Sequence, residues 1–185
     1  MQHIDAEGDN LSDPERAREL TAKQEQATIV EALQSESLPS AIDLCQRLYG
    51  QMVGRYFFAL LGTLEQAQSL SREVIETVCG QWTTSKSELP TLRAQLLMQA
   101  KKRCAVQLSL PNPVATSTKG ATKPALEARR LLSELRPSER ELLVLRFVAG
   151  LSHVEIAYIF GCDEVETRRR LSSAIVEACY ATDPR

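Results

Sequence analysis

Histidine is almost missing from this chain: His3 and His153 are the only two in 185 residues. The five cysteines, Cys45, Cys79, Cys104, Cys162 and Cys179, contain no C-x-x-C pair. Convergent zinc ligands are therefore not expected, and the cysteines read as buried free thiols in amphipathic helices. No G-x-x-x-x-G-K-S/T, H-E-x-x-H or G-x-S-x-G motif occurs. His153 reads as a polar residue in a first helical turn, so neither an enzyme nor a cofactor is expected. Apolar runs such as Ala59 to Leu61 and Ala94 to Ala100 are broken well short of the roughly 18 residues a membrane span requires, so no membrane insertion is expected. The acidic start, Met1 to Glu7, lacks the basic and apolar regions of a secretory signal, which points to a cytoplasmic protein. β-Branched residues are sparse and no run alternates over strand length, so sheet is not expected either.

What remains is a helical chain with 43% hydrophobic residues and a net charge of -2. That charge is unevenly spread. Up to Ser40 nine acidic residues face three basic ones, whereas Ala41 to Ser109 carries eight basic against five acidic. The first stretch reads as an acidic arm and the second as a domain able to face phosphate.

Helical periodicity divides the chain into an all-α, two-domain protein. Asp13-Pro14-Glu15 is a helix start, with Asp13 as cap, leading into a polar helix to about Gln34 that has only Leu20, Ile29, Val30 and Leu33 to bury. Helices over Ala41 to Leu61, Leu64 to Trp82 and Leu92 to Leu108 carry apolar residues three and four apart and predict one bundle. Residues 110–124, rich in Pro, Thr, Ser, Lys and Gly, read as a flexible linker. Beyond it, helices are expected over Ala125 to Leu135, Pro137 to Ala149, Ser152 to Phe160 and Asp163 to about Tyr180. The domains are thus a 1–40 extension, a 41–109 bundle, the linker, and 125–185.

Residues 151–163 carry the sharpest signal. Ser152 and Glu155 form an S-x-x-E capping box, Ala157 allows close helix crossing, Gly161 suits a tight turn, and Asp163 caps the next helix. This is a helix-turn-helix, the geometry that offers its second helix to the major groove.

The flanks extend the pattern. Residues 132–152, with Leu135-Arg136-Pro137, Arg140, Leu145-Arg146 and Gly150-Leu151-Ser152, then Glu155-Ile156-Ala157 and Gly161, closely resemble region 4 of the sigma-70 family, extracytoplasmic-function (ECF) group. Tyr56 to Ile75, with Leu60-Leu61-Gly62 and Glu65 to Leu70, is similar to region 2 of that family, Trp82 falls near its aromatic, and Leu96 to Val106 resembles its following helix. The resemblance implies a protein that binds RNA polymerase core through Ala67, Leu70, Glu73 and Val74 and reads promoter DNA. The DNA contacts it implies are Glu164, Arg168, Arg169, Arg170 and Ser172 on the recognition helix and Lys101, Lys102 and Arg103 in the bundle, with Leu171, Ala174, Ile175 and Ala178 facing the core. An anti-sigma protein is a further implied partner.

The chain departs from the family pattern at Gln68-Ser69 and Arg72 in region 2. In the recognition helix, Val165, Glu166 and Thr167 replace glycine, threonine and valine, and Ser173 and Ile175 replace basic residues. Two readings follow: an alternative sigma factor directing promoter-specific initiation, or a degenerate sigma-like regulator acting through protein contacts without promoter recognition.

Overall fold

The computed structural model describes residues 13–34, 37–82, 91–109 and 123–182, all helix and short connections with no strand among them. The elements are α1 (Asp13–Gln34), α2 (Leu38–Leu61), α3 (Leu64–Trp82), α4 (Leu92–Ser109), α5 (Lys123–Glu134), α6 (Pro137–Leu143), a π-helical segment (Val144–Val148), α7 (His153–Phe160) and α8 (Glu164–Thr182). Residues 110–122 of the expected linker lie outside the described residues, as do residues 1–12 of the acidic arm, and the last two linker positions, 123 and 124, already belong to α5.

The bundle forms as its periodicity demands. The α2 residues Cys45, Tyr49, Val53, Tyr56 and Phe57 are buried against Ala67, Leu70, Val74 and Ile75 of α3 and Leu96, Leu97, Ala100 and Cys104 of α4. Tyr56 and Phe57 meet edge to face with ring centroids 5.7 Å apart, a favourable arrangement of the ring quadrupoles. Helix α2 begins three residues earlier than expected, at Leu38. Pro39 sits in its first turn, where the missing amide hydrogen would have had no partner anyway. Gly62 ends α2 at φ 83°, its amide donating to the Phe58 carbonyl, and so turns the chain tightly into α3. Helix α1 lies along α2 with Ile29 fully buried and Leu20 exposed; the side chains of Asp13 and Leu33 lie outside the described residues.

The C-terminal unit packs α6, α7 and α8 around Leu142, Val144, Leu145, Leu151, Ile156, Leu171 and Ala174. Here the expected single helix from Pro137 to Ala149 is divided. From Val144 it widens to a π turn, with the Ala149 amide bonded to the Val144 carbonyl at 2.9 Å. Widening keeps Val144 and Leu145 buried while Phe147 is turned outward. Hydrophobic periodicity does not distinguish one inserted residue from a continuing helix. Cysteine placement also departs from expectation. Cys45, Cys79 and Cys104 are buried, but Cys162 lies half-buried in the α7–α8 turn and Cys179 is exposed.

The two units are joined. Their buried apolar residues form one continuous cluster, and polar bonds cross the joint. Glu141 accepts from the Tyr56 hydroxyl at 2.7 Å and from Lys101 Nζ at 2.5 Å. Lys101 Nζ also sits 4.0 Å from the centroid of the Phe160 ring. Thr91 Oγ1 donates to Glu155 at 2.6 Å, and Arg93 Nη2 donates to the carbonyls of Ala149 (3.3 Å) and Gly150 (2.9 Å). Burial, with the adjoining Glu141 carboxylate, pushes the Tyr56 phenol well above its ordinary pKa, so it remains a donor. Burial and the same carboxylate push the Cys104 thiol up to about 12, against the opposing pull of Lys101.

Two outcomes test this packing. Ile156→Ala, at a fully buried α7 position, should cost about 2–5 kcal/mol in denaturant unfolding, whereas Val154→Ala on the exposed face of the same helix should stay within about 0.5 kcal/mol. Glu141→Ala should weaken the joint by on the order of 1–3 kcal/mol by orphaning the Tyr56 hydroxyl, visible in small-angle scattering as an increased radius of gyration.

Candidate nucleic-acid interface

The second helix of the helix-turn-helix is held at both its entry and its turn. Ser152 Oγ accepts from the Glu155 amide at 3.2 Å and Glu155 returns a bond to the Ser152 amide at 2.9 Å, completing the capping box. Gly161 closes α7 at φ 64°, with its amide 3.2 Å from the Tyr158 carbonyl, and the Cys162 amide reaches the Ala157 carbonyl at 3.1 Å. Asp163 Oδ1 then accepts from the Glu166 amide at 2.7 Å, starting α8 as expected of a cap. Thr167 stands where the resembling pattern has valine, and it is fully buried. Its hydroxyl donates to the Asp163 carbonyl at 2.9 Å, which makes the polar substitute compatible with the core.

Leu171 and Ala174 face the core and Ala178 is partly buried against it. Ile175 differs from expectation: at 39% exposure it lies on the outer side, because the step of about 100° per residue carries it past the buried edge set by Ala174. Glu164, Arg168, Arg169, Arg170 and Ser172 all lie on the solvent side of α8. The arginines are not bare charges. Arg168 Nη2 binds Glu164 at 2.5 Å, Arg169 grips Glu166 through Nε (2.7 Å) and Nη2 (2.8 Å), and Arg170 Nε binds the same carboxylate at 2.6 Å. Bonds from Arg169 first, then Arg170, hold the Glu166 carboxyl down at about 2.

In the bundle, Lys102 is exposed on α4, while its neighbours are engaged. Lys101 is held by Glu141 and Phe160, and Arg103 is ion-paired with Glu73 of α3. Lys101 to Arg103 therefore do not form a single free basic patch: successive residues on a helix point about 100° apart.

The residues expected to meet polymerase divide as well. Ala67, Leu70 and Val74 are buried in the bundle core, so in this structure they shape α3 from within and present no surface. Only Glu73 is partly exposed. The outer side of α3 is a shallow recess lined by Glu65, Gln68, Ser69, Arg72, Glu73 and Glu76. The signal for this was present in the sequence: Gln68, Ser69, Arg72 and Glu76 follow the same three-four spacing as the core residues, displaced to the polar side.

Among the described residues no helix is long and apolar enough to cross a membrane, and no group of three His, Cys, Asp or Glu residues could hold a metal ion.

Residues 125–176, which contain the capped helix pair and its arginines, match the family model described as sigma-70, region 4. The match spans α5 to most of α8, so the C-terminal unit of the chain is similar to sigma-70 region 4. No curated protein matches the chain in sequence. Among solved structures it is similar to a chain in the structure of CnrH in complex with the cytosolic domain of CnrY. The identity is 14%, the TM-score 0.72, and the match covers 86% of this chain and 97% of the solved one. At that identity the likeness is one of fold, and its extent takes in both units of the chain.

The clamp on Glu166 has a pH signature. A carboxyl held below its ordinary value contributes its bonds above about pH 4.5 and loses them as pH falls through about 2. Carbon-detected NMR titration should place the Glu166 midpoint near 2, and removing both guanidinium groups by Arg169→Ala with Arg170→Ala should return it to the ordinary carboxylate range. An unchanged midpoint in the double variant would show that the arginines do not hold it.

Proposed function

We propose that this protein is an alternative sigma factor of the ECF type, which binds RNA polymerase core and directs promoter-specific transcription initiation in the cytoplasm. The observation that carries the reading is the capped helix-turn-helix in the matched region 4, with Arg168, Arg169 and Arg170 on the solvent side of its second helix. Arginine forks on such a helix suit phosphate oxygens and the O6 and N7 acceptors of guanine. The outer recess of α3, from Glu65 to Glu76, is the surface we assign to polymerase core, with Ala67, Leu70 and Val74 supporting it from beneath and Glu73 on its rim. Lys102 meets the promoter backbone, and Lys101 and Arg103 join it when their present partners release them.

A second reading is favoured by one specific observation: the cations proposed for DNA contact are largely paired already, Arg168 to Arg170 with Glu164 and Glu166, Lys101 with Glu141, and Arg103 with Glu73. A sigma-like regulator that works by protein contact would show the same internal neutralisation. The complex of CnrH with the cytosolic domain of CnrY makes a regulator of the anti-sigma class the partner to seek.

Retention of purified polymerase core on the tagged protein, followed by transcription from a genomic promoter library, separates the two. The sigma reading expects core retention and discrete start sites; retention of neither core nor promoter activity sinks it. Within that assay Arg168→Ala with Arg170→Ala should weaken promoter binding by about 1–3 kcal/mol for each arginine that reads a base, and any phosphate-binding role of either side chain should show as a lower slope of affinity against salt.

A further inference from the structure

The geometry of α8 points to Glu166 as a positioning residue for base reading: it fixes Arg169 so that the terminal edge of the guanidinium meets a guanine in the major groove. Val165, one turn earlier on the same line of the helix, meets the methyl group of a neighbouring thymine. This inference rests on the sigma reading above and specifies what its recognition helix reads.

The chemistry follows from which nitrogens are in use. Arg169 donates to Glu166 from Nε and Nη2, the side fork of the guanidinium. That leaves Nη1 and the second hydrogen of Nη2, the end fork, whose two parallel donors match guanine O6 and N7. Arg168 differs, because its bond to Glu164 is made by a terminal nitrogen, Nη2. Arg170 has one bond, from Nε, and is 47% exposed against 74% for Arg169. Arg169 is thus the best presented of the three and is held by two bonds, so less rotamer freedom is lost when it docks.

Position supports the same assignment. Val165 and Arg169 are four residues apart and so share one stripe in the first two turns of α8, the part of a recognition helix that contacts base edges. Val165 is 77% exposed and so has no role in the core, whereas an apolar tip is what a thymine methyl accommodates. Charge supports it too. Asp163, Glu164 and Glu166 balance Arg168, Arg169 and Arg170 over residues 163–170. A neutral stripe draws phosphate weakly, so affinity on this helix comes from matched base edges in preference to the backbone.

The test is selection from a duplex library with a randomised ten-base-pair segment, using the full chain, alone and with polymerase core. The wild type should select a segment containing a guanine beside a thymine. Replacing that guanine by 7-deazaguanine, which lacks the N7 acceptor, should weaken binding on the order of tenfold, and replacing the thymine by uracil should weaken it less. E166Q should lose most of the deazaguanine effect while its affinity for random duplex rises, since a negative charge has gone. A merely structural role for Glu166 would lower both together. V165A should lose the thymine-over-uracil preference alone. Full guanine discrimination in E166Q overturns the inference and leaves the sigma reading standing. If the wild type selects no sequence in either form, the DNA-reading function itself fails, and this inference with it.

Discussion

A single carboxylate, that of Glu141, fixes how the two units of this protein sit against each other. It lies beside the apolar cluster that spans the joint and accepts from a phenol and an ammonium group, both on the other unit. A charge in such a place is tolerated only while its partners are present, and the buried Tyr56 hydroxyl has the same requirement in reverse. Apolar contact alone allows two surfaces to slide. The pairing of Tyr56, Lys101 and Glu141 allows one register, and from it follow the seating of Phe160 against Lys101 and the reach of Thr91 and Arg93 to the helix-turn-helix entry.

The parts of this arrangement that were legible in the sequence are the local ones. Ser152, Glu155, Gly161 and Asp163 act on backbone groups within a few residues, so their meaning is carried by spacing, and each does in the structure what that spacing implies. The start of α2 is not legible from its residues, because Pro39 reads equally as a breaker and as a first-turn residue. The buried state of Ala67, Leu70 and Val74 is carried by their three-four periodicity, whereas a family pattern carries residue identity without facing. The joint was not readable at all: Tyr56 and Glu141 are 85 residues apart, and nothing local marks either as the other's partner.

Over residues 163–170 the charges cancel, Asp163, Glu164 and Glu166 against Arg168, Arg169 and Arg170. A glutamate introduced among arginines lowers the net charge and looks adverse for a surface meant for nucleic acid. Geometry changes its meaning, since at three and four residues' distance Glu166 is within reach of Arg169 and Arg170 and organises both. Net charge measures long-range attraction to a polyanion; the orientation of a donor fork decides what is recognised on arrival. Glu166 bears on both, lowering the net charge of α8 while holding two of its arginines.

The π turn from Val144 to Val148 amounts to one surplus residue accommodated inside a helix. Losing a residue there would restore ordinary helical geometry and swing everything beyond it by about 100°, carrying the Ala149 and Gly150 carbonyls away from Arg93 and re-aiming α7 and α8 against the bundle. Because Leu151, Ile156 and Leu171 beyond the turn share a core with Leu142 and Leu145 at its start, the same edit would pull that core apart, and the surplus residue is thus locked in by the packing on either side of it.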